Sequence, residues 1–134
     1  MWLNINPRDS EPIYLQIIRG VKTAAAKGVL QPGEKLPSVR ELATELAVNH
    51  NTVAKAYQEL ERERVIEVIR GRGTFISLDS KPTNLDERLD EMRTSMRNWL
   101  VEAHHLGMTT KQFIDMVNEV VDDWTASREA VRHE

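Results

Sequence analysis

The sequence predicts a mainly α-helical fold with one small β-hairpin, followed by a two-helix segment. Three observations predict it. Two short amphipathic stretches, 39–46 and 53–60, are separated by only a short break. A β-branched run interrupted by Gly71-Arg72-Gly73 follows directly. From Leu85 onward apolar residues recur at heptad spacing.

Residues 3–6 alternate apolar and polar (Leu3, Asn4, Ile5, Asn6), the pattern of a short strand. Pro12 suits the first turn of a helix, where its missing N–H is no loss. Ile13, Ile17, Val21 and Ala24 then form one apolar stripe at helical period, and Gly28 with the Gln31-Pro32-Gly33 turn ends the helix. Ser38 with Glu41 three residues on is a capping box opening a second helix. Its stripe is Val39, Leu42, Ala43 and Leu46, and after a break at Ala47 and Val48 a third helix begins near Asn49. There Val53, Ala56, Tyr57 and Leu60 repeat the pattern. Helices so short and so closely joined must cross steeply to bury both stripes against the first, which is a helix-turn-helix.

The period then changes. Val65, Ile66, Val68 and Ile69 are β-branched, residues 70–73 form a tip, and Thr74, Phe75 and Ile76 return as a strand. Three helices followed by such a hairpin make a winged helix-turn-helix domain over 1–77. Residues 78–83 read as a linker by composition.

The remainder, 84–134, reads as a helical hairpin. Asn84 and Glu87 form a second capping box; Leu85, Leu89, Met92, Met96, Trp99, Ala103 and Leu106 then step by alternating fours and threes. Gly107 is a C-cap, and Thr109 with Gln112 opens the last helix. The wider stripe of that helix is Phe113, Met116, Val117, Val120, Val121 and Trp124.

Composition sets limits on function. The chain has 134 residues and no cysteine, which removes thiol catalysis, disulfides and Cys-based zinc sites. No apolar run is long enough to span a bilayer, and 1–8 lack a basic start followed by an apolar stretch, so a soluble cytoplasmic protein is expected. His104 and His105 are adjacent and diverge on a helix, while His50 and His133 stand apart; no metal or cofactor is expected. There is no glycine-rich phosphate loop and no nucleophile or metalloprotease motif, so the chain is not expected to be an enzyme.

The net charge of −3 alone argues against a polyanionic partner. The distribution reverses that argument. Residues 1–80 carry 11 basic and 10 acidic side chains, and 81–134 carry 7 and 11. Two windows, 46–58 and 68–78, contain no acid at all. The first holds the outward positions of the third helix, Asn49, His50, Asn51, Thr52, Lys55 and Gln58. These are hydrogen-bonding side chains at and after a helix N-terminus, suited to phosphate and to base edges in a major groove. The second holds Arg70, Gly71 and Arg72 at the hairpin tip, suited to backbone or minor groove. The candidate DNA-contacting set is Ser38, Arg40, Asn49, His50, Asn51, Thr52, Lys55, Arg70, Gly71 and Arg72. Read singly, Arg40 could be a surface ion pair and the tip arginines a solubilising turn.

The runs Pro12-Ile13-Tyr14-Leu15-Gln16-Ile17 and 30–43 (LQPGEKLPSVRELA), with Asn49-His50-Asn51-Thr52-Val53 and Gly71-Arg72-Gly73-Thr74-Phe75, resemble the N-terminal domain of GntR-family bacterial transcription regulators. The short tail resembles the YtrA subfamily. The resemblance implies a dimeric regulator on an inverted-repeat operator, often a repressor of transporter genes. It also implies DNA contacts at Arg40, 49–52, Arg70 and Gly71. Ala47 stands where many relatives have glycine, which predicts a slightly strained turn. His50 and Ala54 stand where several have arginine, so an operator cannot be borrowed from them.

The acidic tail should lie away from DNA. Its seam and broad face exceed what one α-hairpin buries alone, so a second copy is expected against Leu85, Leu89, Met92, Met96, Trp99, Leu106, Phe113, Val117, Val120 and Trp124. Packing back onto the winged helix is the alternative. Any small-molecule effector pocket would be small or formed between copies. A winged-helix protein–protein adaptor without DNA binding is the competing function, supported by the acidic pI.

Overall fold

The computed structural model describes residues 1–79 and 81–132 and falls into two compact units, Met1–Pro82 and Thr83–Glu134. Ser80 of the predicted linker, and His133 and Glu134 of the tail, lie outside the described residues.

In the first unit, α1 (Ile13–Lys27) buries Ile17, Ile18, Val21 and Ala24. Pro12 precedes the helix with an extended ψ of 146° and is not inside its first turn. Gly28, at φ 81°, closes the other end. The strand expected over 3–6 does not form. That segment is clasped instead by buried Gln16, whose Oε1 accepts from the Asn6 N–H at 2.8 Å. The Gln16 Nε2 donates to the carbonyls of Asn6 and Glu11, each at 2.9 Å. A side-chain amide thus satisfies backbone groups that a strand neighbour would have paired. Leu3 enters the core across Gly20, where a Cβ would come within 2.1 Å of Leu3 Cδ1.

A strand the pattern did not reveal, β1 (Lys35–Leu36), follows the turn after α1. Two residues are too few to show alternation. α2 (Val39–Leu46) begins with the predicted capping box: Ser38 Oγ accepts from the Glu41 N–H at 3.1 Å, and the Ser38 N–H donates to Glu41 Oε1. Past its end Ala47 adopts φ 55°, the left-handed region that glycine usually fills. The Val48 N–H reaches back to the Ala43 carbonyl at 3.0 Å and that of Ala47 to Thr44 at 3.2 Å.

α3 (His50–Arg62) turns Val53, Ala56, Tyr57 and Leu60 into the core. Its exit repeats the same motif, with Arg64 at φ 62° and the Val65 N–H donating to the Leu60 carbonyl at 2.9 Å. β2 (Ile66–Ile69) and β3 (Gly73–Ile76) form the hairpin; Val65, expected in the strand, precedes it. The antiparallel sheet has the order β1-β3-β2, with Lys35 opposite Phe75 and Ile66 opposite Ile76. Leu36, Ile66 and Ile76 line its buried side.

In the second unit, α4 (Leu85–His105) and α5 (Thr110–Arg132) form the helical hairpin. The capping box expected at Asn84 and Glu87 is absent. Asn84 has φ −104° and ψ 43°, not the extended backbone a cap needs, and its side chain makes no cap bond. Leu106 lies one residue past α4 and Gly107 follows at φ 77°. The Thr109–Gln112 box is formed, with Gln112 N–H on Thr109 Oγ1 at 3.1 Å and Thr109 N–H on Gln112 Oε1 at 2.8 Å. Ala103 is the buried apolar residue of this unit among those described. Leu89, Met92, Met96, Trp99, Val117, Val120 and Trp124 all remain exposed in the single chain. No helix among the described residues is long and apolar enough to cross a membrane.

Candidate nucleic-acid interface

The stripe that anchors α3 in the core fixes what its other side presents. His50, Asn51, Lys55 and Gln58 are exposed, and Thr52 is half-buried beside them. Asn49 starts the helix, its Oδ1 accepting from the Asn51 N–H at 2.7 Å. One predicted contact residue therefore already has a structural task, though its amide N–H groups can still donate. Ser38 is in the same position: its Oγ accepts within the capping box, which leaves the hydroxyl proton available as a donor.

Arg40 is exposed in the first turn of α2. The neighbouring Glu41 carboxylate is turned to the Ser38 backbone by the capping box. At the wing tip Arg70, Gly71 and Arg72 are all exposed. The Arg72 N–H donates to the Ile69 carbonyl at 2.9 Å, closing a turn whose third residue, Gly71, has φ 80°. A turn with positive φ there favours glycine.

Two features of this surface escape the sequence. Lys35 on β1 runs across Gly73, where a Cβ would sit 2.9 Å from the lysine Cε, so the bare backbone of Gly73 lets a third cation approach the wing. Lys55 places its ammonium 3.8 Å from the centroid of the Tyr14 ring on α1. No signal in the sequence joins either pair, because each bridges separate elements. Chain continuity places Lys35, Ser38 and Arg40 along the short run from sheet to α2.

The helix-turn-helix is tied internally by Tyr57, whose hydroxyl donates to the Pro37 carbonyl at 2.7 Å. Burial pushes this phenol well above its ordinary pKa, and the Glu41 charge adds to the effect. Among the described residues no group of three or more His, Cys, Asp or Glu could hold a metal. His104 and His105 sit side by side on α4 with ring centroids 6.3 Å apart and planes at 63°. The surface of the first unit offers uncharged hydrogen-bonding groups and cations over two acid-free stretches.

Residues 13–76 match the sequence pattern of the bacterial regulatory proteins of the gntR family. The chain is 44% identical over 121 residues to the HTH-type transcriptional repressor YtrA of Bacillus subtilis (strain 168), spanning 90% of this chain and 93% of that protein. The chain belongs to the GntR family. Among solved structures, this GntR-family chain is similar to a transcriptional antiterminator from Listeria monocytogenes EGD-e, with a TM-score of 0.82, 39% identity and 92% of each chain covered. It is also similar to YtrA from Sulfolobus acidocaldarius, a GntR-family transcription factor, with a TM-score of 0.56, 33% identity, and coverage of 90% of this chain and 97% of that one. The winged helix of this GntR protein is that of a DNA-binding transcription regulator.

Proposed function

We propose that this chain is a homodimeric repressor that reads an inverted-repeat operator with α3 and the wing, while α4 and α5 join two copies. It acts in the cytoplasm by occupying DNA, without catalysis and without a bound cofactor. Domains at 1–77 and 84–134, separated by a linker at 78–83, carry the two tasks. The observation that carries the reading is the pairing of one acid-free reading face with a second unit whose apolar stripes are open to water. Trp99 is 58% exposed, Val120 63% and Leu106 69%. Side chains of that size favour burial by about 1.5–3 kcal/mol each, and a second copy supplies the cover. Between α4 and α5 a groove of about 390 Å³, lined by Trp99, Ala103, Phe113, Val117 and Val120, is apolar enough to receive side chains of the partner.

Two-fold symmetry then places two α3 helices on half-sites separated by about one helical turn of DNA or a multiple of it. Selection from a random duplex pool by the full chain, with sedimentation of the same sample, tests this. An enriched inverted repeat bound by a dimer is expected. Enrichment of a single half-site, or no enrichment, would overturn the proposal.

A further inference from the structure

Among the cations of α1 and α3, three are held by carboxylates and one lies over a ring. Arg19 is bound by Glu11, with Nη1 donating to Oε2 at 2.7 Å. Lys22 pairs with buried Glu63 at 3.0 Å. Arg62 is gripped by Glu59, its Nε donating to Oε2 at 3.0 Å. In each case a carboxylate cancels the charge it positions. Lys55 differs, because its ammonium lies over the face of the Tyr14 ring at 3.8 Å.

The chemistry of the two kinds of partner is not equivalent. A ring face attracts a cation through its quadrupole and carries no net charge, so the ammonium is localised with its full positive charge intact. Lys55 lies on the exposed side of α3, one turn beyond Asn51 and between it and Gln58. Without the ring, Glu59 four residues on would be the natural competitor for the lysine, and an i,i+4 pair with it would neutralise the charge. Tyr14 is half-buried in the first turn of α1 and packs against the core, so the ring itself is fixed.

We infer that Tyr14 is a positioning residue for DNA binding: its ring holds Lys55 toward a backbone phosphate while leaving the lysine charge free to displace a counterion. This rests on the proposed reading that α3 faces DNA. The duplex phosphate, not a base edge, is the group recognised, since an ammonium on a neutral ring offers charge without directional pairing.

The test is a salt series of binding by the full chain to a random-sequence duplex. Each phosphate contact contributes about 0.9 to the slope of log affinity against log salt. Lys55→Ala and Tyr14→Leu should each flatten the slope by about that amount, Tyr14→Phe should keep it, and the double variant should be no flatter than either single. Binding by the wild-type chain with a Tyr14→Leu slope unchanged, or with additive losses in the double variant, would overturn the inference alone. Absence of salt-dependent binding by the wild type would overturn the proposed function as well. Should Tyr14→Leu unfold, NMR of the wild-type chain decides: the Tyr14 ring and Lys55 side-chain signals should shift together on adding duplex, and unmoved signals at saturation would overturn it.

Discussion

The Tyr57 hydroxyl donates its hydrogen bond to the carbonyl of Pro37, so α3 is tied to the residue leading into the helix before it. Tyr57→Phe leaves that carbonyl without this donor and should destabilise the fold by about 1–2 kcal/mol in denaturant unfolding. The variant also separates a pH effect. Burial first, and the Glu41 charge second, raise the folded-state pKa of Tyr57. Its contribution is fully present below the ordinary tyrosine pKa of about 10 and is lost as pH rises beyond it. Wild type should therefore lose more stability than Tyr57→Phe across that alkaline window.

Ala47 and Gly107 occupy corresponding places after their helices, at φ 55° and φ 77°. An alanine there is strained, whereas glycine is not. Ala47→Gly should raise stability by about 0.5–1 kcal/mol, the relief exceeding the added freedom of the unfolded chain. Arg64→Gly, at φ 62°, should act in the same direction, and Gly107→Ala in the opposite one. Thermal melts of the three variants check the signs.

Arg40→Ala and Arg72→Ala should weaken DNA binding about equally on every sequence and flatten its salt dependence, leaving the melt unchanged because both residues are exposed. Asn51→Ala should instead cost roughly 1–3 kcal/mol on the selected operator and little on random duplex. Titrations on both duplexes distinguish the two behaviours.

Trp99→Ala combined with Leu89→Ala should convert the proposed dimer to monomer at micromolar concentration, as read by sedimentation. Removing two large anchors takes away a few kcal/mol of the burial needed to offset the cost of association. A double variant that stays dimeric would remove α4 from the interface.

Gln16→Leu removes three hydrogen bonds to the N-terminal segment and should cost about 1–3 kcal/mol. Amide exchange at Asn6 should quicken well beyond that in the helices.

The helices were legible because each carries an apolar stripe at helical period, which α1, α2 and α3 bury and α4 and α5 leave largely exposed. Two of the three predicted capping boxes are local hydrogen-bond patterns that the structure forms. The third failed because residue types at Asn84 and Glu87 do not fix the backbone angles on which a cap depends. The strand expected at 3–6 failed because alternation cannot say whether a neighbouring strand exists, and Gln16 supplied the hydrogen bonds instead. β1 was invisible at two residues. Of the candidate interface, exposure of Arg40, Asn51, Arg70 and Arg72 follows from the stripes and the hairpin turn. The pairing of Lys55 with Tyr14, and of Lys35 with Gly73, depends on how elements distant in sequence come to rest against one another.

The left-handed residues Ala47 and Arg64 bracket α3, and both are held by backbone bonds that call on no particular side chain. The angle at which α3 leaves the fold is therefore encoded apart from the letters it shows to solvent. His50, Asn51 and Gln58 are exposed on that helix, so exchanging them should change the duplex selected from a random pool while leaving the thermal melt in place.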